Sequence, residues 1–282
     1  SLRNMTVINQ HLQWANEYHI SHFIASWRGP GSFSDTTLKN DLMTSPYLKN
    51  VQVAIFYESA GILGMENDTI TFDENGELQK KIISDVEYIA DYFLFHENYL
   101  RIGKRPVIYF YLTRVFSGNY RQAFQKMRST IAEKYGLELY LVGDEVYWGT
   151  PDENRIGLFD AITAYNLHGP GEYAGHPDST KFISNAESLY NDYQSVAWHQ
   201  GVDLIPGAMP AFNDRAVRYD ANHYAIPHEL NSGLAGSGKY STFESMLDMA
   251  YRVLAESSSN APGTIMITSW NEWHEDTQIE PV

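Results

Sequence analysis

The sequence contains no cysteine, which excludes a disulfide framework and any thiolate nucleophile. It also has no run of about 18 apolar residues, the length that a membrane-spanning helix needs, so no membrane span is predicted. The patterns G-x-x-x-x-G-K-[ST], G-x-G-x-x-G and G-x-S-x-G are absent, which argues against a phosphate-cradling loop, a dinucleotide site and a serine-hydrolase elbow. Because H-E-x-x-H, H-x-H and calcium-loop patterns are missing as well, neither a metal nor a cofactor is expected.

Positive charge is scarce, since 20 Lys and Arg face 35 Asp and Glu and leave a formal net charge of -15. A field of this sign repels phosphate backbones and sulfated or uronate-rich polymers, so we expect no nucleic-acid partner and a neutral substrate. The chain is rich in aromatic residues, with 20 Tyr and 6 Trp. That content excludes a disordered chain. It also suits sugar binding, although we expect most of these rings to fill the core.

Apolar periodicity predicts helices that alternate with short strands along the whole chain. Helical spacing covers residues 6–17, 77–95, 120–135, 182–196 and 243–254, and Gly136 is well placed to end the third of these helices. Seven strands are predicted, at 19–27, 51–59, 105–112, 137–144, 159–166, 203–210 and 263–270. Alternation of this kind indicates a parallel sheet with right-handed crossovers.

The pattern alone leaves a doubly wound sheet and a (β/α)8 TIM barrel open. Seven strands that begin after a helix favour a barrel that lacks its first strand and its final helix, as a single catalytic domain over residues 1–282. Polar and aromatic residues also follow the carboxyl ends of many strands, and a barrel gathers all these ends around one site, whereas a doubly wound sheet gathers few. These residues are Ser26, Trp27, Arg28, Glu58, Arg114, Asp144, Tyr165, Asn166, His168, Asn213, Asp214, Asn271 and Glu272.

Glu272 and Glu275, in "NEWHE" directly after the last predicted strand, are the candidate catalytic residues. Hydrolysis of a glycosidic bond needs one protonated and one ionised carboxyl group. Tryptophan on either side of Glu272 supplies apolar surroundings that could separate the two pKa values. In an extended strand the two side chains would face opposite sides, so both reach one site only if the chain turns after Trp273. The alternative is an exposed loop with solvated acids.

Three further segments lie at predicted strand ends. "ASWRGPGSFSD" (25–35) has Trp27 before a Gly-Pro-Gly turn, which is either a ligand-contacting loop or an ordinary connection. Glu58 ends an apolar strand, and its carboxylate either faces a ligand or pairs with a neighbouring base. "AYNLHGPGEY" (164–173) contains Tyr165 and His168, although a single histidine is more often structural.

These segments together resemble glycoside hydrolase family 99, the endo-α-1,2-mannosidases and mannanases. "TSWNEWHEDTQIEP" (268–281) is similar to the family's N-E-W-H-E-G-T-Q-I-E-P, and "ASWRGPGS" resembles its S-W-W-G-P segment. "HENYLRIGKRPVIYFY" (96–111) and "PGAMPAFNDRAVR" (206–218) resemble the stretches around its fourth and seventh strands. The matches follow the family's order over nearly the whole chain.

The resemblance implies a (β/α)8 barrel that cleaves internal α-mannosidic bonds, or those of a similar neutral oligosaccharide or polysaccharide, with retention. In the family's proposed mechanism, one glutamate deprotonates the sugar's 2-hydroxyl to give a 1,2-anhydro sugar, and a second acts as acid and then base. By position, Glu272 would assist the 2-hydroxyl and Glu275 would be the acid/base. Trp27, Glu58 and Tyr165 would contact sugars. The other candidate substrate-binding residues are Arg28, Tyr111, His168, Asn271, Trp273, His274 and Gln278.

The sequence departs from the family at two positions: Arg28 replaces a tryptophan and Asp276 a glycine. These departures bear on the sugar that is bound and leave the two glutamates of the motif unchanged. A related group of barrels in bacterial polysaccharide biosynthesis, described as glycosyltransferase-like, has a looser N-E-W-x-E motif and is the alternative, together with a non-catalytic glycan-binding protein. We expect a bacterial protein of the periplasm, of the cell surface or of the secreted class. The sequence carries no signal for an oligomeric state.

Overall fold

The structure is a computed structural model that describes residues 4–169, 180–219, 223–231, 239–256 and 263–281. The chain divides into two compact units, Ser1–Asp144 and Glu145–Val282. The single catalytic domain over residues 1–282 stays a prediction. Within the described ranges, no helix is long and apolar enough to cross a membrane.

The first unit is built on a four-stranded parallel sheet in the order β1-β2-β5-β7. A short strand β4 pairs antiparallel with β5, and β3 and β6 form a separate parallel pair. Its strands are β1 His22–Trp27, β2 Gln52–Tyr57, β3 Ile70–Phe72, β4 Arg101–Ile102, β5 Arg105–Phe110, β6 Phe116–Gly118 and β7 Tyr140–Asp144. Its helices are α1 Met5–Glu17, α2 Phe33–Thr37, α3 Ser59–Leu63, α4 Glu77–Ile89 and α5 Tyr120–Tyr135. Single helical turns of other types cover Leu38–Leu42, Leu48–Asn50, Ala90–Leu94 and Thr113–Val115.

Apolar stripes at helical spacing hold α4 and α5 against each other. Ile82 and Val86 on α4, and Phe124 and Met127 on α5, are fully buried, which is how an amphipathic helix gains most of its stability in a protein. Gly136 ends α5 in the left-handed conformation with φ +67°, and its N–H bonds the carbonyl of Ala132. This is the cap that the sequence predicts.

The register of the parallel strands brings their carboxyl ends to one edge of the sheet. Trp27 lies beside Tyr57, and Tyr57 lies beside Phe110. The ladder continues one residue further, because the N–H of Glu58 donates to the Trp27 carbonyl at 3.1 Å. The polar residues that follow these strands therefore share one edge, as the sequence predicts for parallel strands.

Among its described residues, the second unit has two parallel strand pairs and one antiparallel pair. β8 pairs with β9 and β10 with β13 in parallel, whereas β11 and β12 are antiparallel. The strands are β8 Ala161–Thr163, β9 Asp203–Ile205, β10 Gly207–Ala208, β11 Glu229–Asn231, β12 Lys239–Ser241 and β13 Met266–Ile267. The helices are α6 Glu153–Ile156, α7 Thr180–His199 and α8 Thr242–Ala255, and α7 packs on α8.

All seven predicted strands occur, although several are shorter than the sequence suggests. The stretch 203–210 is interrupted at Pro206, which has no N–H to give to a ladder, and it becomes β9 and β10. Directly after it, Gly207 donates its N–H to the Tyr190 hydroxyl at 2.8 Å. A Cβ at Gly207 would lie 2.9 Å from that hydroxyl oxygen. Glycine is therefore needed where helix α7 approaches the strand.

Candidate active site

The two candidate catalytic glutamates lie on one tight turn after β13. The chain turns at residues 273–276, and the carbonyl of Glu272 accepts from the N–H groups of Glu275 at 3.3 Å and Thr277 at 3.4 Å. Ser269 fixes the start of the turn, since its Oγ accepts from the Glu272 N–H at 2.9 Å and its N–H donates to the Thr277 carbonyl at 2.8 Å. The turn thus supplies the change of direction that both carboxylates need to reach one site.

Glu275 is the more enclosed of the two, with 8% of the residue exposed. Its Oε1 accepts from Arg218 Nη1 at 2.8 Å, and Asn166 Nδ2 lies 3.5 Å from its Oε2. Burial raises the pKa of this carboxyl. The Arg218 contact opposes that rise, while the charges of Glu272 and Asp214 add to it, and the pKa stays above its usual value.

Glu272 has different surroundings. Its residue is partly exposed, and its Oε1 accepts from the backbone N–H of His274 at 3.3 Å. The turn therefore presents one enclosed and one more open carboxyl group. This is the asymmetry that separates the roles of two carboxyl groups in one site.

A buried aspartate anchors the arginine that contacts Glu275. Asp214 is 1% exposed, and its Oδ2 accepts from Arg218 Nη1 at 3.0 Å and lies 2.6 Å from His223 Nδ1. Burial raises the pKa of Asp214, but the His223 and Arg218 contacts outweigh it, so the pKa is lowered overall. Arg218 accordingly bridges two carboxylates, and the same two neighbours raise the pKa of its guanidinium.

His168 lies in an aromatic cluster beside this network. Its ring stacks on Phe212 with centroids 4.5 Å apart and meets the edge of His223 at 4.7 Å. Its Nδ1 bonds the side-chain oxygen of Asn166, which is the residue next to Glu275 Oε2. His168 is thus joined to Glu275 through one amide, whereas the end of its segment, residues 170–173, lies outside the described residues.

The other predicted residues of the second unit lie on or next to the turn that carries Glu272 and Glu275. Trp273 is 49% exposed, and its Nε1 donates to Glu280 Oε2 at 3.1 Å. Asn271 and His274 are exposed on the same turn. Tyr165 is half-buried and its carbonyl accepts from the Thr268 hydroxyl. The side-chain oxygen of Gln278 is buried and has no hydrogen-bond partner among the described residues.

In the first unit, Glu58 lies at the carboxyl end of β2 among polar neighbours. Ser26 Oγ donates to its Oε1, and Arg28 Nη2 lies 3.9 Å from the same oxygen. The Arg28 side chain is 66% exposed. Tyr111 follows β5 at the same edge, and its ring contacts Phe56. Glu58, Arg28 and Tyr111 therefore lie where the register of the strands predicts.

Trp27 shares this edge of the sheet, but its side chain is 0% exposed. Its Nε1 donates to Asp35 Oδ1 at 3.0 Å, and its ring packs between Tyr57 and Tyr88. A ring enclosed in this way has no free face for a sugar. The placement does not support the direct sugar contact that the resemblance implies, because the side chain faces the helix layer.

Arg218 and His223 were not among the sequence candidates. Arg218 is the last residue of "PGAMPAFNDRAVR", a segment that resembles the family, and this position could have marked it as a candidate site residue. No sequence pattern pointed to His223, because its contact with Asp214 depends on how the loop after β10 folds. In the part of the chain that the structure describes, no three His, Asp or Glu side chains group so that they could hold a metal ion.

The sequence of the chain is similar to those of one described family and of several known proteins. Residues 64–282 match the family described as "Glycosyltransferase WbsX". The chain is 26% identical over 300 residues to the glycoprotein endo-alpha-1,2-mannosidase-like protein of Mus musculus. The alignment covers 99% of this chain and 56% of that protein. The chain is 24% identical over 291 residues to the glycoprotein endo-alpha-1,2-mannosidase of Rattus norvegicus, covering 99% and 54%. The chain therefore corresponds to little more than half of each relative.

Solved structures of glycoside hydrolases and similar proteins also align with this chain. The GH99 endo-alpha-mannosidase of Bacteroides thetaiotaomicron aligns with a TM-score of 0.66 at 17% identity, over 100% of this chain and 75% of that one. A "Glycoside hydrolase-like protein" aligns with a TM-score of 0.74 at 18% identity, over 99% and 79%. At these identities the likeness shows the fold alone. It confirms the predicted (β/α)8-barrel class, and together with the curated relatives it confirms the resemblance to the family-99 group.

Proposed function

The chain belongs to the family described as "Glycosyltransferase WbsX", and from its site we propose that it is a retaining, endo-acting glycoside hydrolase of neutral α-mannosidic glycans. The observation that carries this proposal is the turn that presents Glu272 and Glu275 three residues apart in unlike surroundings. The pKa of Glu275 is raised by burial, which suits a carboxyl group that must hold a proton. Glu272 is partly exposed, which suits a base.

The proposed reaction has two steps. In the first, Glu272 takes the proton of the substrate's 2-hydroxyl, O2 attacks C1, and Glu275 gives its proton to the departing glycosidic oxygen. A 1,2-anhydro sugar forms. In the second, Glu275 takes a proton from water, the water oxygen attacks C1, and Glu272 returns its proton to O2 as the ring opens. Two inversions at C1 give net retention, and the sum of the steps is the addition of one water.

Arg218 has a definite part in this cycle, because it contacts the carboxyl group that must alternate between two states. Its hydrogen bond at 2.8 Å favours ionised Glu275, and burial favours the protonated form. The two influences oppose each other and bring the energies of the two states closer. Such a balance suits a group that serves as acid in one step and base in the next.

The choice of a neutral mannoside rests on two observations. Two relatives bear names that include endo-alpha-1,2-mannosidase, at 24–26% identity, and the net charge of -15 disfavours an anionic polymer. Arg28 and Asp276 stand where the mannosidases have tryptophan and glycine. The linkage and the sugar units beyond the cleaved bond are therefore where this protein is expected to differ.

A second candidate function is transfer of a sugar from an activated donor, and the description of the matching family as a glycosyltransferase favours it. Transfer would need a recognised donor such as a nucleotide sugar. Incubation with nucleotide sugars and a neutral acceptor separates the two candidates, because a hydrolase releases reducing ends from the glycan alone. A non-catalytic glycan-binding protein would do neither.

The proposal is tested with α-mannans and other neutral glycans. We expect oligosaccharide release, with the first product in the α configuration when followed by proton NMR. A substrate whose reacting sugar lacks the 2-hydroxyl should not be cleaved, although removal of that electron-withdrawing group makes the bond intrinsically more labile. Cleavage of the 2-deoxy substrate, or a first product in the β configuration, would exclude the anhydro-sugar route.

A further inference from the structure

A cavity of about 460 Å³ lies beside the catalytic turn and has no role in the reaction described above. Its volume falls within the range of about 300–1,000 Å³ that is typical of ligand sites. Its lining includes the run from Tyr224 to Pro227, which is mainly apolar. The polar lining residues are Asn213, Arg215, His228 and Asp276.

The cavity is attached to the turn that holds both glutamates. Asn213 donates its backbone N–H to the carbonyl of Glu275 at 2.7 Å, and Asp276 is the next residue along the turn. The segment before Asn213 is joined to the run from Tyr224 to Pro227, since Phe212 and Ile226 exchange backbone hydrogen bonds of 2.9 and 2.8 Å. A ligand held in this cavity therefore has a fixed position relative to Glu275.

Asp276 lines the cavity from an unusual backbone conformation. Its φ is +57°, in the left-handed region that aspartate tolerates better than most residues. Its Oδ1 lies 3.1 Å from His228 Nε2, and both side chains are well exposed. An exposed pair of this kind adds at most about 1 kcal/mol to stability. The pair is better explained by what it presents to the cavity than by what it adds to the fold.

We propose that this cavity is a subsite for a neutral sugar unit next to the one that is cleaved, with Asp276 and His228 as the pair that binds its hydroxyl groups. The inference rests on the proposed function for its link to cleavage. The combination of groups is what a sugar needs. A carboxylate accepts from hydroxyls, arginine and asparagine side chains such as those of Arg215 and Asn213 donate to them, and an aromatic residue such as Tyr224 suits the apolar face of the ring.

The charges around the cavity favour a neutral sugar over an acidic or a basic one. A uronate would meet the Asp276 carboxylate as well as the Arg215 guanidinium, in a chain whose net charge of -15 disfavours anions, and a cationic amino sugar would meet Arg215 as well as Asp276. A neutral sugar can bind between acid and base without displacing either. Asp276 is therefore proposed as a determinant of specificity, not as a catalytic residue.

The test measures binding, so that it does not depend on turnover. Wild type and Asp276→Gly, each combined with Glu275→Gln to prevent cleavage, are titrated with linear neutral tetrasaccharides of α-mannose, β-glucose and β-galactose and with an oligogalacturonate. Glycine accepts the positive φ at position 276, so the variant should fold. Asp68→Gly is the matched control, because Asp68 is exposed and also has φ +57°.

We expect at least one neutral tetrasaccharide to bind, about tenfold weaker binding after Asp276→Gly from the loss of a charge-assisted hydrogen bond, and no change after Asp68→Gly. His228→Gln should weaken binding in the same direction. Equal binding by wild type and Asp276→Gly, a preference for the oligogalacturonate, or no binding of any neutral tetrasaccharide would overturn the subsite. Binding that depends on Asp276 in a protein that cleaves nothing would instead overturn the proposed function alone.

Discussion

Arg218 Nη1 lies 2.8 Å from Glu275 Oε1, and the same nitrogen lies 3.0 Å from Asp214 Oδ2. One guanidinium thus joins the candidate acid/base to a buried aspartate. The arrangement gives Arg218 a positioning role: it holds the Glu275 carboxyl in one orientation and opposes the rise in its pKa that burial causes.

Arg218→Met should move the pH profile in a defined direction. Glu275 must be protonated to act as the acid, so activity falls as pH rises through its pKa. Removing Arg218 takes away the contact that lowers this pKa, and the basic limb of kcat/KM should shift to higher pH, with about a tenfold loss of kcat/KM from the lost charge-assisted bond. Arg252→Met is the control, since Arg252 forms a comparable ion pair with Glu187 on the helices. A basic limb that stays in place or moves to lower pH contradicts this role.

Asp214→Asn should destabilise the protein by about 1–3 kcal/mol at neutral pH, because Arg218 and His223 lose a charged acceptor. The folded-state pKa of Asp214 is lowered. The contribution of ionised Asp214 to the free energy of unfolding is therefore fully present above the pKa of about 3.9 that aspartate has in the unfolded chain. It is lost as pH falls through the lower pKa that Asp214 has in the folded protein. In urea unfolding from pH 7 to pH 3, the difference in unfolding free energy between wild type and variant should narrow toward the acid end. The control variant Asp192→Asn, at an exposed residue, should have the same free energy of unfolding as wild type at every pH. A difference between wild type and Asp214→Asn that stays constant with pH would contradict the stabilising role of ionised Asp214.

Trp27→Phe tests whether this residue acts in the fold or on the substrate. The variant removes the donor to Asp35, which is 0% exposed, and should cost about 1–3 kcal/mol of stability. KM at a temperature where the variant is folded should stay near the wild-type value. Trp198→Phe, at a side chain that is 71% exposed, should change neither quantity. A raised KM with unchanged stability would restore the sugar-contact role.

The sequence predicts those features that depend on local pattern. The strand at 51–59 is found as Gln52–Tyr57 because it carries a run of apolar residues from Val53 to Tyr57. Gly136 caps α5 because glycine readily adopts the left-handed conformation in which that helix ends. Where one residue overrides the pattern, the boundary is wrong: Pro206 divides the stretch 203–210. From the sequence, Glu272 and Glu275 could be placed in one site only on the condition that the chain turns after Trp273. The structure has this turn, and hydrogen bonds of Ser269 and Thr277 hold it.

Features that depend on long-range packing were not predictable. The contact of Arg218 with Glu275 joins residues 57 positions apart, and no local pattern encodes such a pair. Trp27 was placed correctly at a strand end, but side chains alternate between the faces of a strand. Which face it takes follows from packing on Tyr57 and Tyr88.

The most direct test of the central claim is the kcat/KM of wild type, Glu275→Gln, Glu272→Gln and the exposed control Glu153→Gln on the neutral α-mannan that wild type cleaves best. If the turn carries the chemistry, each of the first two variants loses at least about a hundredfold, as removal of an acid or base does, with folding unchanged by circular dichroism. Glu153→Gln should keep wild-type activity. Wild-type activity in either Glu275→Gln or Glu272→Gln would contradict the assignment of the active site.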